Sequence, residues 1–223
     1  MLDNISGALA AAITPATAAV IGEPVQGVGG AFDMGAEYLA AIRRRCDETS
    51  AQLIFDEVQC GVGRTGHPFA ANLYGVTPDM LTTAKALGTG FPVGALLLTQ
   101  QVAAQLRVND LGSTFGGGPL ACAVVEAVLD AIREEGLLEN VRRVSAQLRA
   151  ACVTGPVTGV QGEGFLLGLR TRPPAKQVQA ALLAQDILTG TSADPQVLRL
   201  LPPYTLTGEH VELLAAALAR LPA

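Results

Sequence analysis

Apolar positions along this chain follow two rhythms. In the first half, short continuous apolar runs alternate with stretches of helical spacing. "TAAVIG" (17–22), "AQLIFDEVQ" (51–59), "MLTT" (80–83) and "GALLLT" (94–99) read as buried strands. "GAEYLAAIRRRCDE" (35–48) carries Leu39, Ile42 and Cys46 on one helical face. Short apolar strands between helices predict an α/β arrangement, a mainly parallel sheet covered on both faces. The loop "GSTFGGG" (112–118) precedes Pro119, which suits the first turn of a helix. Leu120, Val124, Ala127, Val128 and Ala131 give that helix an apolar face, and Gly136 can end it. A second helix follows, with Val141, Val144, Leu148 and Ala151 on one side.

The texture changes after about residue 153. "TGPVTGVQGEG" is rich in turn residues. Then come the strand-like "FLLGLR", a helix around "KQVQAALLAQDIL", the strand-like "VLRLL", and a last helix with Thr207 as N-cap. Val211, Leu214, Leu218 and Leu221 stripe that helix. This second part reads as a smaller α+β unit. The expected domains are therefore 1–136 and 137–223.

Composition narrows the picture. With 223 residues, 49% hydrophobic and 16% charged, the chain reads as ordered and globular. A net charge of -5 with no basic stripe argues against nucleic acid as a partner. Cys46, Cys60, Cys122 and Cys152 form no CxxC pair, and their only histidine companions are His67 and His210. That argues against a metal site and for reduced, buried thiols in a cytoplasmic protein. No apolar run approaches the roughly 18 residues of a membrane span. The opening "MLDNISGALAAAITPATAAV" lacks the basic start of a signal peptide.

Two stretches carry candidate chemistry. In "LTTAKALGTGFPVGA" (81–95), Lys85 is the only charge between Asp79 and Arg107. It follows a strand and precedes a glycine-rich turn. Desolvation there would favour the free amine, which can attack a carbonyl; the alternative is a snorkelling side chain. In "IFDEVQCGVGRTG" (54–66), an apolar strand delivers Asp56 and Glu57 at its C-terminal end. Ligands bind at that edge of open α/β sheets. Such a carboxylate could hold a metal, act as a base or pair with a cationic ring nitrogen; a solvated strand end is the plain alternative. An amine and a carboxylate on adjacent strand ends suit pyridoxal phosphate, which needs both.

Five segments, "EPVQG", "IFDEVQCGVGRTG", "YGVTPDMLTTAKALGTGFPVGA", "GSTFGGGPLACA" and "VLRLLPPYTLT", resemble the class III pyridoxal-phosphate-dependent aminotransferases in order and spacing. Within that class they look most like the acetylornithine type. The resemblance implies a fold type I transferase, of which this chain holds part of the large domain and the small C-terminal domain. It implies amino transfer from an ω-amino donor to 2-oxoglutarate. Lys85 resembles the Schiff-base lysine and proton shuttle. Asp56 resembles the partner of the pyridinium nitrogen, Gln59 the residue beside the ring hydroxyl, and Val58 the residue packed on a ring face. Thr114 resembles the hydroxyl that reaches the cofactor phosphate of a neighbouring subunit. Arg199 resembles the arginine that grips a substrate carboxylate. Acetylornithine, ornithine, an acylated lysine and γ-aminobutyrate all remain open as donors. Gly112 and Ser113 read as loop geometry, Arg64 as a loop salt bridge, and Cys60, His67 and His210 as structural or surface residues.

The chain departs from the family in three ways. Val28 stands where the family usually carries a glutamate that pairs with the substrate-binding arginine. Leu111 and Gly118 replace a usual His and Asn. Roughly the first two-fifths of a family member, with its phosphate-binding loop and ring-stacking aromatic, has no counterpart. A homodimer or a separate N-terminal polypeptide is therefore the expected partner. Three readings follow: a portion of an aminotransferase, a non-catalytic binding or assembly subunit, or an aminomutase or decarboxylase using the same lysine.

Overall fold

The computed structural model describes residues 2–222. In chain order the elements begin with α1 (Leu2–Ala12), β1 (Ala19–Gly22), β2 (Val25–Gln26), β3 (Phe32–Asp33), α2 (Ala36–Thr49) and β4 (Gln52–Asp56). There follow α3 (Ala70–Tyr74), β5 (Met80–Thr83), a 3-10 turn (Lys85–Leu87), β6 (Ala95–Leu98), α4 (Gln100–Ala103) and α5 (Pro119–Glu134). The rest comprises α6 (Leu137–Ala151), β7 (Val157–Glu163), β8 (Leu166–Thr171), α7 (Ala175–Leu183), β9 (Gly190–Thr191), β10 (Val197–Leu200) and α8 (Gly208–Ala219).

The chain forms two compact units. The first contains residues up to Pro24, Met34–Val62 and Phe69–Asp130; the second contains Val25–Asp33, Gly63–Pro68 and residues from Ala131 onward. The sequence places a boundary at 136/137, whereas the units meet within α5 and two early segments join the second unit.

The first unit is built on a sheet of order β1-β4-β5-β6. β1, β4 and β5 run parallel, and β6 is antiparallel to β5. Alternation along β4 buries Leu53 and Phe55 with Leu81 of β5, where they pack with Leu9 of α1, Ile13 just beyond it, and Leu39, Ile42 and Cys46 of α2. This is the period-2 pattern of a sheet with one face on a core. The expectation of two covered faces is corrected here. Ile21, paired with Ile54, is 63% exposed, and Leu96 and Leu97 of β6 are 49% and 42% exposed.

Helix α5 starts at Pro119 as its sequence predicts, yet none of its residues is buried. Val124, Val128 and Ala131 of its apolar face are half-buried, while Leu120 and Leu129 stand 68% and 49% exposed. Cys122, on this helix, is exposed, which corrects the expectation of four buried thiols; Cys46, Cys60 and Cys152 are buried.

The second unit holds an antiparallel sheet of order β7-β8-β10-β9 and a small β2-β3 hairpin. Leu167, Leu169, Leu198 and Leu200 pack with Val141, Val144 and Leu148 of α6, Val178 and Leu182 of α7, and Val211, Leu214 and Leu218 of α8. The other sheet face is also covered, because a Cβ at Gly168 would stand 2.5 Å from the carbonyl of Gly30. Gln161 Nε2 donates to that same carbonyl at 2.8 Å. Strand β7 is missed by a reading that sees turns in "TGPVTGVQGEG". A bulge between Val157 and Gly159 and a positive φ of 93° at Gly162 absorb the glycines, while pairing with the apolar β8 sets the strand. Helix α7 stops at Leu183, short of the predicted "QDIL", and Asp186 beyond it is left-handed at φ 60°. Among the described residues no helix is long and apolar enough to cross a membrane.

Candidate active site

Two neighbouring parallel strands end at one edge of the first unit. β4 ends at Asp56 and β5 at Thr83, with Asp56 in register with Thr82. Parallel strands share their C-terminal edge, so Asp56 and Lys85, two residues beyond Thr83, leave the sheet on the same side. The half-buried Asp56 carboxylate is held from two directions. Val58 N donates to Oδ1 at 3.0 Å and Thr82 Oγ1 donates to Oδ1 at 3.2 Å. Both bonds fall on Oδ1, which leaves Oδ2 for a further donor. Val58 and Gln59 occupy the turn that follows, each half-buried.

Glu57 has a different job. It is fully buried and accepts from Ala70 N at 2.5 Å and Ala71 N at 2.8 Å, the first amides of α3. Burial pushes its carboxyl above the usual range, and the two amide bonds pull it part of the way back. Glu57 thus closes the 57–69 loop and fixes the turn that carries Val58 and Gln59. The loop is tight enough that a Cβ at Gly61 would lie 2.6 Å from the Glu57 carbonyl. The sequence shows an acid beside the strand end but not this role, since no local pattern links residue 57 to residue 70.

Lys85 has φ 45°, a left-handed backbone that is uncommon for a side chain of this size. It opens the 3-10 turn, and its carbonyl accepts from Gly88 N at 3.1 Å and Thr89 N at 3.0 Å. Strain of this kind collects at functional sites. The side chain is exposed, so the described residues do not supply the desolvation that the sequence suggests. Thr114 lies in the uniformly exposed stretch 103–117 and is joined to the Asp56–Lys85 edge by no hydrogen bond among the described residues.

Arg199 belongs to the second unit. It sits on β10 between Gly168 of β8 and Gly190 of β9, half-buried, with Nε buried and lacking a hydrogen-bond partner. Val28 is 58% exposed, and its carbonyl accepts from Ala193 N at 2.9 Å. Arg64, expected in a loop salt bridge, instead donates Nη1 to Pro202 O at 2.6 Å and lies 4.6 Å from the Tyr204 ring centre. Burial lowers the Arg64 pKa and raises that of Tyr204. His210 accepts from Thr207 N at 3.2 Å and so belongs to the start of α8. Among the described residues no group of three or more His, Cys, Asp and Glu could hold a metal ion.

The donor set suits a pyridoxal ring. A primary amine and a half-buried carboxylate with one committed oxygen share a sheet edge, and a hydroxyl (Thr82) and an amide (Val58) hold that carboxylate in place. These residues fit pyridoxal 5′-phosphate.

Comparison with known proteins agrees. Residues 2–221 match the family "Aminotransferase class-III". The acetylornithine aminotransferase of Rhodobacter capsulatus is 43% identical over 224 residues, covering 96% of this chain and 57% of that protein. The acetylornithine aminotransferase of Agrobacterium fabrum is 44% identical, covering 91% and 52%. The solved N-acetylornithine aminotransferase of Stenotrophomonas maltophilia superposes with a TM-score of 0.84 at 35% identity, covering 97% of this chain and 58% of that one. The ornithine aminotransferase of Plasmodium yoelii gives a TM-score of 0.87 at 26% identity, covering 99% and 60%. The chain thus spans slightly more than half the length of the relatives it matches. On sequence across nearly its whole length and on fold, this chain belongs to the class-III aminotransferase family.

Proposed function

We propose that this chain carries the lysine-bearing portion of an acetylornithine-type aminotransferase, moving an amino group from an ω-amino donor to 2-oxoglutarate in the cytoplasm. The observation that supports the reading is that Asp56 and Lys85 leave adjacent parallel strands at the same sheet edge. Family membership implies pyridoxal 5′-phosphate as cofactor. When bound, that cofactor supplies an aldehyde for amino groups and a ring that takes up the electrons left when a proton departs the substrate carbon.

The chain's own residues do the rest. Lys85 would hold the cofactor through its amine and would move the proton at the substrate carbon. Asp56 would keep the ring nitrogen protonated, its Oδ2 accepting a charge-assisted bond, while Thr82 Oγ1 and Val58 N hold Oδ1. Val58 would pack on a ring face, Gln59 would lie beside the ring hydroxyl, and Thr114 would reach the phosphate held by a neighbouring copy. Arg199 takes a substrate carboxylate. Bidentate contact with a planar carboxylate is a reason for arginine rather than lysine there.

A second reading has its own support. β6 and α5 expose apolar surface, and the chain spans little more than half of its relatives. In that reading the chain is one part of a split aminotransferase, or a binding and assembly subunit, and works only with a covering partner. Formation of glutamate from 2-oxoglutarate with N-acetylornithine, ornithine or γ-aminobutyrate as donor tests both. Turnover by the chain alone supports the first reading. Turnover only after adding a polypeptide with the remaining large-domain sequence supports the second. No turnover in either case overturns both catalytic readings. In an active preparation, Arg199→Ala should raise the KM for 2-oxoglutarate at least tenfold, and an unchanged KM removes that role.

A further inference from the structure

Both donors on Asp56 Oδ1 are one link away from Glu57. Val58, whose N–H gives the 3.0 Å bond, follows it in the chain. Thr82, whose hydroxyl gives the 3.2 Å bond, accepts the Glu57 N–H on its carbonyl at 2.9 Å. That backbone bond carries the β4–β5 pairing one residue beyond Asp56. The Glu57 carbonyl then accepts from Gly61 N at 2.9 Å and closes the turn that holds Val58 and Gln59.

These two bonds are main-chain and would survive a change of side chain. The third tie is the carboxylate itself. Two residues beyond Phe55, it continues the sheet face against which Phe69, Ala71 and Tyr74 pack. There it spans 13 residues of sequence to reach Ala70 N, and it takes Ala71 N as well. Burying a carboxylate is costly unless its oxygens are hydrogen-bonded. Capping α3 alone does not account for that cost. The helix has five residues, and Asn72 Oδ1 already accepts from Phe69 N at 3.1 Å at its start. What the buried carboxylate adds is direction. It grips residue 57 by its side chain while β5 grips it by its N–H, so the peptide into Val58 cannot swing.

We propose that Glu57 is a positioning residue for the cofactor: anchored on Ala70 N and Ala71 N, it aims the Val58 N–H at Asp56 Oδ1 and so keeps Oδ2 directed at the ring nitrogen. This deepens the reading of Asp56 as the partner of that nitrogen and rests on it. Glu57 acts through Val58 and Asp56.

Glu57→Gln tests the proposal, because glutamine keeps the size and one acceptor but turns an N–H toward an amide N–H. Asn72→Ala is the control, since it frees the start of α3 without touching residue 57. In the cofactor-free chain, hydrogen exchange at Val58 N should quicken at least about fivefold in Glu57→Gln, the low end of what one stranded amide costs. It should stay unchanged in Asn72→Ala. Titration with pyridoxal 5′-phosphate should show a dissociation constant raised in Glu57→Gln and unchanged in Asn72→Ala. With the 15N-labelled cofactor, the ring-nitrogen resonance in Glu57→Gln should move toward its unprotonated position. Glu57→Asp keeps the charge but shortens the reach, should act in the same direction, and decides if Glu57→Gln does not fold. Wild-type exchange at Val58 in Glu57→Gln, or an equal effect in Asn72→Ala, would overturn the proposal and leave Glu57 a structural cap. Should the wild type bind the cofactor on Lys85 with an affinity and ring-nitrogen signal that Glu57→Gln leaves unmoved, the positioning role falls and the cofactor reading stands. Should the wild type bind none while Val58 exchange still answers to Glu57→Gln alone, the cofactor reading falls for the chain by itself and the anchoring of Asp56 stands.

Discussion

The two units bury their apolar residues differently. In the second, β8 is covered on both faces, and leucines of β8, β10, α6 and α8 are fully enclosed. In the first, one sheet face closes over Leu53, Phe55 and Leu81, while β6, the stretch 103–117 and α5 leave apolar groups in water. Val108 and Phe115 are 91% and 95% exposed. An open edge strand and a bare apolar helix face are the features that proteins normally cover. The second unit encloses its sheet more fully than the first, which carries Lys85, although Leu188 and Leu213 there stand 86% and 64% exposed. The residues proposed for cofactor chemistry thus sit in the less self-sufficient part.

The sharpest way to break this comparison is hydrogen exchange. β8 and β10 should exchange through global unfolding, orders of magnitude more slowly than β6 and residues 103–120. Equal protection in both would mean that the first unit is covered in solution. Next in size, Leu198→Ala in the second core should cost about 2–5 kcal/mol in denaturant unfolding. Leu129→Ala on α5, where the side chain is 49% exposed, should change stability by less than about 0.5 kcal/mol. A loss of about 2 kcal/mol at Leu129 would show that α5 is buried against a partner.

Glu57→Ala should cost about 1–3 kcal/mol for each of the two amides it strands, and should loosen the turn bearing Val58 and Gln59. Amide exchange at Ala70 and Ala71 reads this directly. The pH dependence is subtler. Burial pushes the Cys152 thiol from 9.0 up to about 11. The folded state therefore keeps that proton where the unfolded chain has lost it, so stability declines as pH rises from about 9 to about 11, by up to roughly 1.4 kcal/mol per unit. Cys152→Ala should remove that part of the slope, seen as a difference between the two unfolding curves. Iodoacetamide at pH 8 should label the exposed Cys122 before Cys46 or Cys152. Protection of Cys122 would again place a partner on α5.

Much of this arrangement is legible from periodicity. β5 spans the residues of "MLTT" itself, α2 and β10 lie within a residue or so of their patterns, and α5 begins at its proline. These signals are local: alternation, helical spacing and fixed φ. That Asp56 and Lys85 leave the sheet at one edge is legible for the same reason, since two neighbouring parallel strands must end on the same side. What fails is what depends on distant residues. β7 looks like turns until β8 pairs with it. Glu57 looks like a second acid at the edge until residues 70 and 71 arrive beneath it. The bare surface of α5 contradicts its own pattern, because an apolar stripe states what a helix can bury, not what is there to bury it.

The central claim is that Lys85 is the amine that engages the cofactor, and the chain offers a clean test because Lys176 is its only other lysine. Purified protein is mixed with pyridoxal 5′-phosphate, scanned for a visible absorbance band, reduced with borohydride and mapped by peptide mass. The account predicts a band in the wild type, a near-stoichiometric adduct on Lys85, and loss of both in Lys85→Ala. An adduct on Lys176 or the N-terminal amine instead, or an unchanged band in Lys85→Ala, would contradict it.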